Sequence, residues 1–273
     1  MNAIPSLQGT CTLVGAGPGD PELLTLKAVK AIRAATVLLV DDLVNDEVLS
    51  HARPDARIVH VGKRGGCKST PQAFIEKLMI AAVREGEHVV RLKGGDPFIF
   101  GRGGEEVEHL RAAGIEARVV NGITSGLAAV TALNVPLTHR DRAQGVVFVT
   151  GHAKADAPDA HSTDWLALAA AARDARLTLV VYMGMAGAAH IQHGLLSALP
   201  GETPVAVVQH ATLREQRHVV GTLGRLHEIL ANSGLGSPAV IVVGDVLKGM
   251  AAAMATDEKG KAQPDGAQAS RVA

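Results

Sequence analysis

Aromatic residues are scarce in this 273-residue chain: four Phe, Trp165 and Tyr182 make up only 2% of it. A surface that stacks successive nucleic-acid bases has little to work with. Charge of one sign is also lacking, since 27 Lys and Arg balance 27 Asp and Glu. A net charge of zero argues against a binder that holds nucleic acid by neutralising phosphates. The two cysteines, Cys11 and Cys67, offer neither metal-ligand spacing nor a disulfide framework, and fit a reduced cytoplasm. No apolar run approaches the ~18 residues that a membrane helix needs. The opening residues, MNAIPSLQGT, show neither the basic nor the apolar region of a signal peptide.

What is present is an ordinary globular composition, 47% hydrophobic and 20% charged, enough for one large or two modest domains. Short β-branched runs alternate with Ala/Leu-rich amphipathic segments. Thr10–Val14, Thr36–Val40, Arg57–Val61, His88–Leu92 and Ala117–Val120 read as strands. Helices are predicted over Glu22–Ala34, Pro71–Arg84, Gly104–Ala113 and Thr124–Leu133, with Thr124 or Ser125 capping the last. The alternation favours a largely parallel sheet with helices on its faces. A second set of strands follows Pro136: Val146–Thr150, Leu177–Tyr182, Val205–Gln209, His218–Gly221 and Ala239–Val243. The expectation is two α/β domains, 9–137 and 143–249, with a cleft between them and a flexible tail over 250–273.

The stretch RLKGGDPFIFGRGGEE (91–106) packs five glycines, three cations and three acids into sixteen positions after an apolar strand. Glycine in such numbers lets backbone and charge come close to something. No Gly-Lys-Ser/Thr closes it, so it is not a P-loop. The first loop, Gly15-Ala16-Gly17-Pro18-Gly19-Asp20, invites a dinucleotide reading, with Asp41 about twenty residues on. Against that reading, Asp20 stands where the third glycine belongs, and Pro18 and Pro21 remove two backbone donors. Of the twelve histidines, His139 and His152 lie near motif blocks and His190 and His193 are three apart, but no pair has convincing ligand spacing. No metal is expected.

Seven blocks, VGAGPGDPELLTLKA (14–28), VDDLV (40–44), VGKR (61–64), RLKGGDPFIFGRGGEE (91–106), NGITS (121–125), PLTHRD (136–141) and YMG (182–184), stand in one order and spacing. Together they resemble the tetrapyrrole (class III) S-adenosylmethionine-dependent methyltransferases, from about Gly9 to Gly249. The resemblance implies the tetrapyrrole-methylase type of two-domain α/β fold, with the first domain on the acceptor side of the cleft and the second on the donor side. It implies S-adenosyl-L-methionine as methyl donor, uroporphyrinogen III as acceptor, a homodimer, and no nucleic-acid or membrane partner. Donor contacts carry over to Pro18, Gly94, Gly95, Asp96, Ile99, Thr124, Ser125, Met183 and Ala211. A lone Met after a strand is usually core filler, so only its place in YMG raises Met183 above that. Asp41 matches the proton acceptor and Lys63 the proton donor, while Arg102, Glu105 and Arg140 match groups that hold or activate the acceptor.

An eight-carboxylate acceptor wants basic side chains, and Lys63, Arg64, Lys68, Arg91, Lys93, Arg102, Arg140 and Arg142 cluster in these blocks. Methylation of a pyrrole carbon leaves a cationic ring that must lose a proton, so a carboxylate base is needed. Asp41 and Glu105 are the candidates, and Asp42 and Glu106 read as local charges. Three positions depart from the family pattern: Asp42 for Arg, after Val40 for Tyr; Asn121 for Pro; and Lys68 for His. Alternative readings are a sister methyltransferase acting on a later precorrin, a nucleotide-dependent oxidoreductase, and a binding or scaffold protein.

Overall fold

The structure, a computed structural model, describes residues 9–62, 70–152 and 163–250. Two compact units divide it. One holds the described residues up to Ala132 together with His210–Arg217; the other holds Leu133–Gln209 and the described residues from His218 onward. The division falls a few residues ahead of the gap expected between 137 and 143. His210–Arg217, though inside the range 143–249, groups with the first unit.

The first unit is built on β1 (Thr10–Gly15), α1 (Leu26–Ala34), β2 (Val37–Val40), β3 (Arg57–His60), α2 (Gln72–Arg84), β4 (His88–Lys93), α3 (Gly103–Ala112), β5 (Ala117–Val120) and α4 (Ser125–Thr131). Its sheet is wholly parallel, in the order β3-β2-β4-β1-β5. Strand periodicity sorts the apolar side chains cleanly. Cys11, Leu13, Val37, Leu39 and Val89 pack with Met79 and Val83 of α2 and Leu110 of α3. Val14, Leu38, Val40, Val90 and Leu92 face the other way, onto Ala28 and Ile32 of α1. Cys11 is buried, and desolvation with the charge of Glu106 pushes its thiol up to about 12. It is neutral packing rather than chemistry.

The helix expected over Glu22–Ala34 is broken in two. Asp20 caps a 3₁₀ turn at Pro21–Leu23 by accepting from Glu22 N at 2.8 Å, and the turn ends at an extended Leu24. Thr25 then caps α1, accepting from Ala28 N at 3.1 Å. Two caps five residues apart fix two starts, which an apolar period alone does not reveal. Thr124 occupies the cap position of α4, but without a capping side-chain bond.

The second unit carries β6 (Gly145–Thr150), α5 (Trp165–Asp174), β7 (Leu177–Tyr182), α6 (Ala188–Leu195), β8 (Pro204–Gln209), β9 (Arg217–Thr222), α7 (Leu226–Ser233) and β10 (Ala239–Val243). Its sheet runs β6-β7-β10-β8-β9 and is mixed. β6 and β7 are parallel, whereas β10 runs antiparallel to both β7 and β8. The parallel expectation therefore holds for the first sheet only. The link from β8 to β9 contains no helix, and without a crossover helix the rule that makes neighbours parallel does not apply. Leu179, Val181, Val207, Ile241 and Val243 of this sheet pack with Trp165, Ile191, Leu195, Leu226 and Leu230.

Candidate active site

The connection leaving β1 passes over one face of the first sheet through α1, and that leaving β4 passes over the other through α3. These strands are neighbours, so the connections part at their carboxyl ends. In open α/β sheets that switch point is where ligands bind. Three glycine loops meet there. Gly17 N donates to Gly95 O at 3.2 Å and Gly95 N donates to Gly17 O at 2.7 Å, joining the loops after β1 and β4. A Cβ on Gly122 would fall onto Gly95 O and lie 2.8 Å from Gly15 Cα. A Cβ on Gly94 would lie 2.7 Å from Leu43 Cβ. The N–H and carbonyl of Gly95 are held by Gly17, and Gly94 is packed by Leu43. Glycine is required here for loop-on-loop contact. Gly122→Ala should therefore lower both the thermal midpoint and donor affinity, because every atom it meets is backbone and cannot swing aside; a calorimetric titration with unchanged affinity would separate this packing from the donor site.

Asp96 stitches the same loops together. Its Oδ1 accepts from Phe98 N at 2.8 Å, and its Oδ2 accepts from Asn121 Nδ2 and Gly122 N, both at 3.1 Å. Both oxygens of this buried carboxylate are engaged by the protein and anchor the loop. The Asn121 departure has a structural use, as one of those donors. Ile99 follows in the same turn, its N–H on Asp96 O at 3.3 Å. A Cβ on Gly95, which has φ +67°, would lie 3.6 Å from Thr124 Cα and 3.8 Å from Ser125 N. Pro18 sits between Gly17 and Gly19. Asp20 N donates to Thr212 Oγ1 at 3.0 Å, which brings Ala211 beside this loop. Eight of the nine expected donor contacts thus lie in the first unit. Met183 belongs to the second; it is 49% exposed and has φ +53°, which sets it apart from core filler.

Arg91 and Lys93 do not present themselves to an acceptor. Both are buried on β4, on the face that carries Val89. Arg91 Nε and Lys93 Nζ each donate to Glu106 Oε1 at 3.1 Å, and Gln72 Nε2 donates to the same oxygen at 3.0 Å. Arg91 Nη2 reaches Asp41 Oδ1 at 3.4 Å. Glu106, read from sequence as a local charge, is therefore the fully buried hub of an ionic cluster. Two cations at alternate positions of an apolar strand were the signal that a buried carboxylate must face them. Burial, and then the charge of Arg91, lowers the proton affinity of Lys93, with Glu106 and Asp41 acting against that.

Arg102 and Glu105 are half exposed at the start of α3 and form an ion pair, Nη2 to Oε2 at 2.5 Å. That bond raises the Arg102 pKa. Arg102 takes a left-handed φ of +58° at the helix cap, a costly conformation for a non-glycine residue. The exposed Phe98 and Phe100 flank the same turn. Asp41 lies just past β2, its N–H on Leu92 O at 3.1 Å. Arg140 is exposed in the second unit. Lys63, Arg64, Lys68 and Cys67 lie outside the described residues, as does the tail beyond Met250. Among the described residues, no group of three or more His, Cys, Asp or Glu could hold a metal ion.

The model of the family Tetrapyrrole (Corrin/Porphyrin) Methylases matches residues 10–227. The chain belongs to that family. It is 53% identical over 243 residues to the uroporphyrinogen-III C-methyltransferase of Pseudomonas aeruginosa, covering 89% of this chain and 96% of that protein. Its structure is similar to that of uroporphyrin-III C-methyl transferase from Thermus thermophilus complexed with S-adenyl homocysteine, with 38% identity, a TM-score of 0.73, and 88% and 99% of the two chains covered. It is also similar to a cobalt precorrin-4 methyltransferase, at 27% identity, a TM-score of 0.76, and 90% and 99% coverage. The two TM-scores barely differ, so backbone shape does not separate these activities; identity does.

Proposed function

We propose that this chain transfers methyl groups from S-adenosyl-L-methionine to C2 and C7 of uroporphyrinogen III, giving precorrin-2 and S-adenosylhomocysteine. The observation that carries the reading is 53% identity to a relative of that activity across 96% of the relative's length. The loop geometry supports it. A donor without phosphates needs no helix N-terminus, and α1 begins only at Leu26, well past the glycine loop. Pro18, Gly94, Gly95, Asp96, Ile99, Thr124, Ser125, Ala211 and Met183 hold the donor.

The donor supplies an electrophilic methyl on a sulfonium; the pyrrole carbon takes it, the carbon–sulfur bond breaks with its electrons on sulfur, and the ring is left cationic. Asp41 takes the ring proton, and Lys63 serves as proton donor. Arg102, Glu105 and Arg140 hold the acceptor's carboxylate-bearing rim, where a guanidinium fork suits carboxylates. Alignment and water exclusion supply most of the acceleration, since a pyrrole is already electron-rich. The enzyme acts in the cytoplasm as a homodimer, and its product feeds sirohaem, cobalamin or haem d1 synthesis.

The test is anaerobic incubation with methyl-labelled S-adenosylmethionine and uroporphyrinogen III, followed by mass spectrometry. Two labelled methyl groups on the product are expected. Donor binding by calorimetry without transfer would turn the reading to a later precorrin, the activity class of the cobalt precorrin-4 enzyme. Absence of donor binding would remove the methyltransferase reading altogether.

A further inference from the structure

Among the charged members of the buried cluster, Asp41 reaches outward. The side chains of Glu106, Arg91 and Lys93 are 0%, 2% and 4% exposed, whereas that of Asp41 is 33% exposed. Withdrawing such charges from water can cost more than their attraction returns, so stability does not account for them. Their geometry does. Arg91 Nε is tied to Glu106, and Nη1 donates to the carbonyls of Leu92 at 3.1 Å and Leu39 at 3.4 Å. A planar guanidinium held in two directions has its third corner placed for it. That corner, Nη2, faces Asp41 Oδ1. The carbonyl of Leu92 that takes Arg91 Nη1 also takes the backbone N–H of Asp41. Main chain and side chain of Asp41 are thus registered against a single point at the end of β4.

Charge leads the same way. Arg91 and Lys93 share one carboxylate oxygen of Glu106, and Glu106 Oε2 has no hydrogen-bond partner among the described residues. Two cations against one carboxylate leave a positive excess, and Asp41 is the carboxylate positioned to balance it. We propose that Arg91 is a positioning residue for Asp41, with Glu106 and Lys93 fixing Arg91, so that the proton acceptor is aimed by a cluster that never touches the tetrapyrrole. This rests on the reading of Asp41 as proton acceptor.

The test measures Glu106→Gln and Arg91→Lys, each alone and combined with Asp41→Asn, for kcat, acceptor KM and donor affinity. Glu106→Gln keeps the shape and an acceptor oxygen; Arg91→Lys keeps the charge but loses the fork. Each single variant is expected to lower kcat ~10²-fold, the scale of a ~1 Å misplacement, with acceptor KM and donor affinity nearly unchanged. In the Asp41→Asn background neither change should lower kcat further, because the group being aimed is gone. Equal losses in both backgrounds, or loss of donor affinity in parallel, would make the cluster merely structural and overturn the proposal. An Asp41→Asn enzyme with full turnover would instead remove the proton-acceptor reading beneath it. Should Glu106→Gln fail to fold, Arg91→Lys carries the same comparison.

Discussion

Asp41→Asn is expected to lower kcat by ~10²–10⁴-fold, the range for a lost general base, while donor affinity hardly moves. Asparagine keeps the size of the side chain and leaves the backbone bond from Asp41 N to Leu92 O in place. Its amide oxygen can still face Arg91 Nη2 where Oδ1 does now. What it lacks is the capacity to take a proton. The ring cation formed on methyl transfer then has no partner on that side and reverts or waits for water. Stopped single-turnover kinetics, with donor affinity by calorimetry, separate this from a binding defect. Unchanged turnover would move the base role to Glu105, the other acid at the site's edge, which is engaged with Arg102.

Much of this site is legible in the sequence because its loops are written in glycine and proline. GAGPGD and KGGDP announce turns that no core segment would carry, and NGITS precedes a helix start. What those glycines meet is not written there: Gly15, Gly94 and Gly122 lie against neighbouring backbone or Leu43. Close approach between distant loops leaves no local trace in sequence. The ten strands were legible from their β-branched runs, but the direction of β10 was not, since a run of Ala-Val-Ile-Val-Val does not say which strand lies beside it. Glu106 was misjudged for a related reason. A glutamate next to Glu105 in a polar helix start looks solvent-facing until the helix is set against β4, where Arg91 and Lys93 need it. The hidden quantity in each case is a pairing between segments far apart in the chain.

Glu106→Ala should be the most destabilising single change in the first unit, at about 3–5 kcal/mol, the usual cost of leaving buried charges without their partner. Three donors, from Gln72, Arg91 and Lys93, now converge on Glu106 Oε1. Truncation strands Arg91 and Lys93 in a place water does not reach, and takes its partner from the part-buried Gln72. At ~2–4 °C per kcal/mol for chains of this size, the thermal midpoint of the unit should fall by roughly 6–20 °C. The deficit should shrink as pH rises toward the ordinary lysine value of 10.5. Burial and Arg91 already lower the proton affinity of Lys93, and Glu106 is one of the groups opposing them. Without it, Lys93 sheds its proton in the folded state while the unfolded chain still holds one, so stability rises with pH over that window. Replacing Arg91, Lys93 and Glu106 together by Met should recover most of the lost stability, since an apolar filling avoids the desolvation altogether, but the enzyme should remain slow because nothing then faces Asp41. A Glu106→Ala melt that matches the wild type would mean that the two cations find water or new partners. A triple variant that melts as low as Glu106→Ala would mean that the cluster is needed for packing rather than for charge balance.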